Sequence, residues 1–329
     1  VRTAALAAAS WCLALAGGPG VASAAAVFRY DGVLEGDPPL RQPVSVTLEP
    51  RTGELCVADA ASQTIDVFDA HGLHRFQTNR MAALSMPMDA SVDSSGGFVF
   101  TDAARGGGRT IRRLDFLGEP EPYEPQLPRP GWNPTHLLLT SDGGYVTVDA
   151  EGLLAKHDAA TGALLWMTEL VEPSWERADL LGRPAESPGG RIYVPNPGVG
   201  AVEVVEADGS GHVTFGSRGT KRGELMFPVG VAFGPGGLVL VLDRGKQCVV
   251  GFDPAHQFAG EFGRFGLRTG ELYFPVAIAA AGDGRVWIAQ GFEGRVQIFR
   301  LGEPDSAEPA LGGAKPSPAG EASAEDGGG

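Results

Sequence analysis

The sequence is short of the residues on which metal and redox sites are usually built. Its 329 residues include three cysteines and six histidines. No CxxC pair occurs, and only His71 and His74 are closely spaced. That HxxH spacing falls in an expected hairpin, where it has no ligand geometry comparable to two His at i and i+4 on a helix. A catalytic zinc needs about three protein ligands, and the histidines are too scattered to supply them. Basic residues are also scarce: 26 Lys and Arg face 40 Asp and Glu, for a net charge of −14. Phosphate neutralisation needs a basic face, so nucleic acid is excluded as a partner. Helical periodicity, a nucleophile elbow and a phosphate loop are missing too.

One long apolar run is present, at the start. From Ala4 to Ala16 it is Ala and Leu apart from Ser10, Trp11 and Cys12, with Arg2 before it and a Gly-Pro break after it. It falls short of the roughly 20 residues that a membrane span requires. Ala22, Ser23 and Ala24 supply a small-residue cleavage site, so residues 1–24 are predicted to be a secretory signal peptide. The mature chain then has no membrane span and is exported, to the periplasm or the outside. Residues 302–329 are Gly, Ala, Pro, Ser and acidic residues, predicted to be a disordered tail. The folding unit is residues 25–301.

Within that unit one phrase repeats. GELMFPV from Gly223 recurs as GELYFPV from Gly270. Each copy continues as an apolar run, a Gly turn, a second apolar run, a polar turn and a third apolar run. Earlier copies open at Pro43, Pro87 and Pro134, and the prolines at 43, 87, 134, 228 and 275 lie 44, 47, 94 and 47 residues apart. The double gap holds a degenerate copy through Gly189 and Gly190 to Asn196, with Leu180 in the place of Pro. Six units of four short strands predict an all-β fold, a six-bladed β-propeller of four-stranded antiparallel blades. The sixth copy stops after its third strand, and an extra strand, Val27 to Leu34, precedes the first. That strand is expected to complete the last blade and close the ring. Cys56 and Cys248 then fall in blades one and five, which are not neighbours, so two buried free thiols are expected.

The phrase resembles the blade of the NHL-repeat family. The resemblance is carried by Phe227-Pro228, Leu242-Asp243, Phe262-Gly263, Phe274-Pro275 and the RVQIF run from Arg295 to Phe299. Blade one adds Val57 to Asp59 and Ile65 to Phe68. In blade three, His157 to Trp166 is similar to a strand-turn-Trp element of quinoprotein-like propellers, and is expected to serve packing. The resemblance implies a platform for protein, peptide or RNA partners, with some lyases and hydrolases among related propellers.

Candidate sites follow from the blade plan. One polar residue ends each second strand: Asp59, Asp102, Asp149, Asn196, Asp243 and Gln290. Together they would ring the mouth of the channel, and each is expected to close a turn. Departures from the repeat offer a binding face: Arg105 and Arg109 in a glycine loop, and Arg244 and Lys246 in the matching loop of blade five, suited to an anionic group. Tyr123 and Trp132 in a proline-rich connection, and Trp175 in another, are candidate binding aromatics. His136, on an innermost strand, is the one histidine placed for a ligand role.

These features point to an exported binding scaffold without a catalytic site or cofactor, for a protein, peptide or glycan. The alternative is a metal-dependent hydrolase or lyase, of the lactonase or amidating type, with calcium or zinc in the channel.

Overall fold

The computed structural model describes residues 10–13, 26–49, 51–78, 83–93, 95–103, 108–170 and 181–302. They form six antiparallel four-stranded blades around an axis. The innermost strands of blades one, two, three, five and six begin at the repeat prolines, as Pro43–Leu48, Pro87–Val92, Pro134–Leu139, Pro228–Phe233 and Pro275–Ala280. Blade four opens with the short strand Ala185–Glu186. Proline brings no N–H to the ladder, so pairing tolerates it only where the ladder is interrupted. Each of those five strands accordingly has a register shift between its proline and the second residue after it.

The ring closes as the repeat count predicts. Ala26–Val33 pairs antiparallel with Arg295–Gly302 and supplies the outer strand of blade six. Phe28 on that strand stacks on Phe262 of blade five, with ring centroids 4.0 Å apart. Ser10–Leu13 adds a further strand between Ala26–Val33 and the outer strand of blade five. The rest of the expected signal peptide, and residues 303–329 of the expected tail, lie outside the described residues.

The core consists of six apolar clusters, one at each blade interface. This explains why second strands are buried almost throughout, not on alternate residues. Successive side chains leave opposite faces of a strand, and both faces of a blade are covered. Leu55 and Val57 pack towards blade six, whereas Cys56 and Ala58 pack towards blade two. Likewise Leu240 and Leu242 meet blade six while Val239 and Val241 meet blade four. Cys56 and Cys248 are free and buried in different interfaces. Burial pushes both thiols up from their ordinary range.

Candidate functional site at the channel mouth

Connections between blades and turns between second and third strands emerge on one face, around the mouth. The six polar strand ends lie there, all buried. Asp59 accepts the backbone N–H of Arg41 and Gln42, Asp102 those of Ser85 and Met86, and Asp243 those of Met226 and Phe227. In each case the carboxylate clasps the connection that enters its own blade. Asp149 instead accepts from Glu151 and Leu153 N–H and from Arg129. The Asn196 amide donates to Glu203, and that of Gln290 to the Tyr273 carbonyl. The lone pairs of this ring are therefore spent on backbone and neighbours.

The loop candidates separate. Arg105 and Trp175 lie outside the described residues, as does Leu180. Lys246 turns away from the axis and bonds the Lys221 and Glu224 carbonyls and the Glu261 carboxylate. The backbone N–H of Arg109 donates to Asn133. Trp132 is not an exposed platform. Its ring is only 9% exposed, packed with Val99, Ile111 and Leu137 between blades two and three. Tyr123 packs against the same cluster and donates to the Tyr145 hydroxyl at 3.2 Å. His157, on the third strand of blade three (Leu153–Asp158), stacks fully buried on Tyr145 at 5.0 Å. An interface with room for aromatic rings gains far more from burying them than from showing them.

Arg244 and His136 face the same space. They line a cavity of about 210 Å³ with Val44, Met88, Leu181, Gly182, Phe227, Val229 and Val276, at the point where the innermost strands begin. The floor holds two residues that motif reading passed over. Asp89 of blade two accepts from His136 Nδ1 of blade three at 2.8 Å and from Arg183 Nε of blade four at 2.6 Å. Arg183 also donates to the Val276 and Met88 carbonyls. It thereby ties blades four, two and six across the axis. Burial pushes the Asp89 carboxyl up, but the Arg183 charge and the bonds from His136 and Arg183 outweigh it and hold it below its ordinary range. Burial holds His136 below its ordinary range against the pull of Asp89, helped by the charges of Arg183 and Arg109. The neutral ring donates through Nδ1, which leaves Nε2 as an acceptor.

A sequence signal for this floor exists. Two residues after the repeat proline the copies read Ser45, Asp89, His136, Gly230 and Ala277, and Arg183 forms a bridge with Gly230. Ionisable residues fill this position in blades two and three, and in blade four Arg183 stands one residue beyond it, three after Leu180.

A second feature was also missed. Phe265, Tyr273, Phe274 and Phe292, from the connection into blade six and its second turn, form a ring cluster on the mouth face. Phe292 is 74% exposed and Phe265 63%. Phe274 holds φ at 43°, a left-handed value that is uncommon for a bulky side chain.

Fold and mouth define the class: a six-bladed β-propeller with a plugged channel and an open polar cup. Residues 225–252, in blade five, match the NHL repeat family model, so this stretch of the propeller is similar to an NHL repeat. No curated protein matches the sequence significantly. Among solved structures, a protein of unknown function from Bacteroides thetaiotaomicron is similar at a TM-score of 0.63 and 12% identity, over 83% of this chain and 72% of that one. A catalytically inactive virginiamycin B lyase from Staphylococcus aureus with quinupristin gives 0.57 and 13%, over 83% and 99%. Regucalcin, a calcium-binding protein from Agrobacterium tumefaciens, gives 0.58 and 14%, over 83% and 95%. At these identities the likeness is one of fold.

Proposed function

We propose that this propeller is an exported, non-catalytic scaffold that binds a peptide segment of a partner protein on its channel-mouth face. The observation that carries this reading is the exposed cluster of Phe265, Tyr273, Phe274 and Phe292. Exposed aromatics grouped on a rigid face are the usual anchors of protein recognition. The surrounding connections supply the charge. Residues 217–224 and 264–271 hold Arg218, Lys221, Arg222, Arg264 and Arg268 against Glu224 and Glu271, in a chain whose net charge is −14. An acidic segment with apolar side chains complements this face. Export rests on the leader of residues 1–24, whose removal would take Ser10–Leu13 with it.

The test is crosslinking capture from the native envelope fraction with a Phe274→Ser, Phe292→Ser variant. A Leu165→Ser, Met167→Ser variant, on the outer strand of blade three, serves as control. Partners lost by the first and kept by the second support the reading. An unchanged set of partners from the mouth variant rejects it.

A hydrolase or lyase acting in the channel is the second reading, and one observation favours it. His136 is oriented by Asp89 with its second nitrogen open to the cup, as a general base requires. Against it, a cup of about 210 Å³ is smaller than the roughly 300 Å³ from which pockets that enclose a drug-sized molecule start, so it would not enclose a substrate of that size. Its residues also fit a divalent ion poorly. The one carboxylate is engaged by a guanidinium and an imidazole, and Arg244 faces the same space. Stoichiometric calcium or zinc, lost on chelation together with an activity, would favour this second reading.

A further inference from the structure

Arg244 is the cation in the cup that nothing answers. Arg183 is satisfied by Asp89 and two carbonyls. The Arg244 guanidinium instead lies over the Phe227 ring, 4.7 Å from its centroid, and has no hydrogen-bond acceptor among the described residues. Its neighbour of like charge is Arg183, and both line the cup. With Arg183 and Asp89 cancelling, the cup carries one uncompensated positive charge. A second unfilled group lines the same cup. His136 Nδ1 is committed to Asp89, and Nε2 has no partner among the described residues.

An unpaired guanidinium on an aromatic face, partly withdrawn from water, is a carboxylate receptor. An acceptor nitrogen in the same cup does not welcome a second carboxylate oxygen, so the fitting ligand brings an N–H as well. Size limits the ligand further. About 210 Å³ is many times the roughly 10–15 Å³ of such space that one water needs, and suits a single terminal residue better than a folded segment.

We infer that the cup captures the C-terminal residue of a peptide chain, its α-carboxylate on Arg244 and its amide N–H on His136 Nε2. This deepens the scaffold reading, from which it takes the peptide. The end of the partner chain enters the plugged channel while the residues before it lie across the ring cluster on blade six. Arg183 and Asp89 position His136 and close the floor, so the terminus stops there.

Small probes separate the cup from the surface. N-acetylglycine carries both groups, N-acetylglycinamide lacks the charge, and acetate lacks the N–H. Titrated calorimetrically into the full chain, N-acetylglycine should bind at least tenfold more tightly than either control and shift the His136 imidazole resonances. Arg244→Gln should reduce N-acetylglycine to the level of the amide, and His136→Phe to the level of acetate. Arg244→Lys should keep part of the affinity. Phe274→Ser with Phe292→Ser should leave it unchanged. Equal binding of acid and amide, an unaffected Arg244→Gln protein with native circular dichroism, or an unmoved His136 resonance each overturns the inference. If N-acetylglycine fails to bind while the phenylalanine variant still loses its partners, the cup proposal falls and the surface reading stands. If N-acetylglycine binds as described but partner capture survives loss of the phenylalanines, the surface reading falls instead.

Discussion

The protein holds two aromatic clusters of similar size whose roles are opposite. One, made of Trp132, Tyr123, Tyr145 and His157, fills the interface between blades two and three. The other, made of Phe265, Tyr273, Phe274 and Phe292, stands on the mouth face beside blade six. Both belong in part to connections, and each brings four rings together. The buried cluster is tied by hydrogen bonds, Tyr123 to Tyr145 and His157 to the Gln126 carbonyl. The exposed one is made mostly of phenylalanine, which has no polar atom to satisfy. Rings that stabilise a propeller are therefore distinguished by a neighbouring blade to pack against, and the exposed rings by its absence.

The sharpest way to break this comparison is to truncate a ring in each cluster. Trp132→Ala should cost about 3–5 kcal/mol of stability, the range for deleting a large buried side chain, as read from urea denaturation. Phe292→Ser should change stability by no more than about 0.5 kcal/mol, as exposed substitutions do. Comparable losses from the two would abolish the distinction.

Asp89→Ala extends the comparison to the axis. It leaves the Arg183 charge without its carboxylate and should cost about 3–5 kcal/mol, as breaking a buried pair does. Its unfolding midpoint should fall as far as that of Trp132→Ala. Asp59→Ala frees the backbone N–H groups of Arg41 and Gln42 and should cost about 1–3 kcal/mol.

Acid should act on the buried cluster and spare the exposed one. Burial holds His157 below its ordinary range, more strongly than its bond to Gln126 raises it, and it holds His136 and His256 down as well. A histidine that is neutral in the fold takes up its proton first in the unfolded chain. Its contribution is complete above the ordinary value of about 6.5 and is lost as pH falls below it. Melting temperature should therefore decline from pH 7 to pH 5, less steeply in His157→Gln. The smallest effect expected is on thiol reactivity: Cys56 and Cys248 should stay unlabelled by iodoacetamide in the folded protein and react on unfolding.

Much of this molecule was legible before any coordinate. Six prolines or their substitute at a steady spacing, and the run from Val27 to Leu34, gave the blade count and the closing strand. The ends of the second strands were placed on the mouth by the same count. The aromatics were misjudged in both directions. Tyr123 and Trp132 stood out because their loop is long and proline-rich, yet that loop folds back over blade three. Phe274 and Phe292 were overlooked because Phe274 belongs to the repeat phrase itself, although its ring points to solvent.

Local pattern determined the blades, because each is an antiparallel sheet of neighbours in sequence whose turns and alternating apolar residues specify its pairing. The cup was decided only by the ring. Asp89, His136, Arg183 and Arg244 come from four blades, and although the first three recur at the blade repeat, that spacing alone does not put them in contact. They meet because six blades close around a common axis, and closure is a property of packing between sheets.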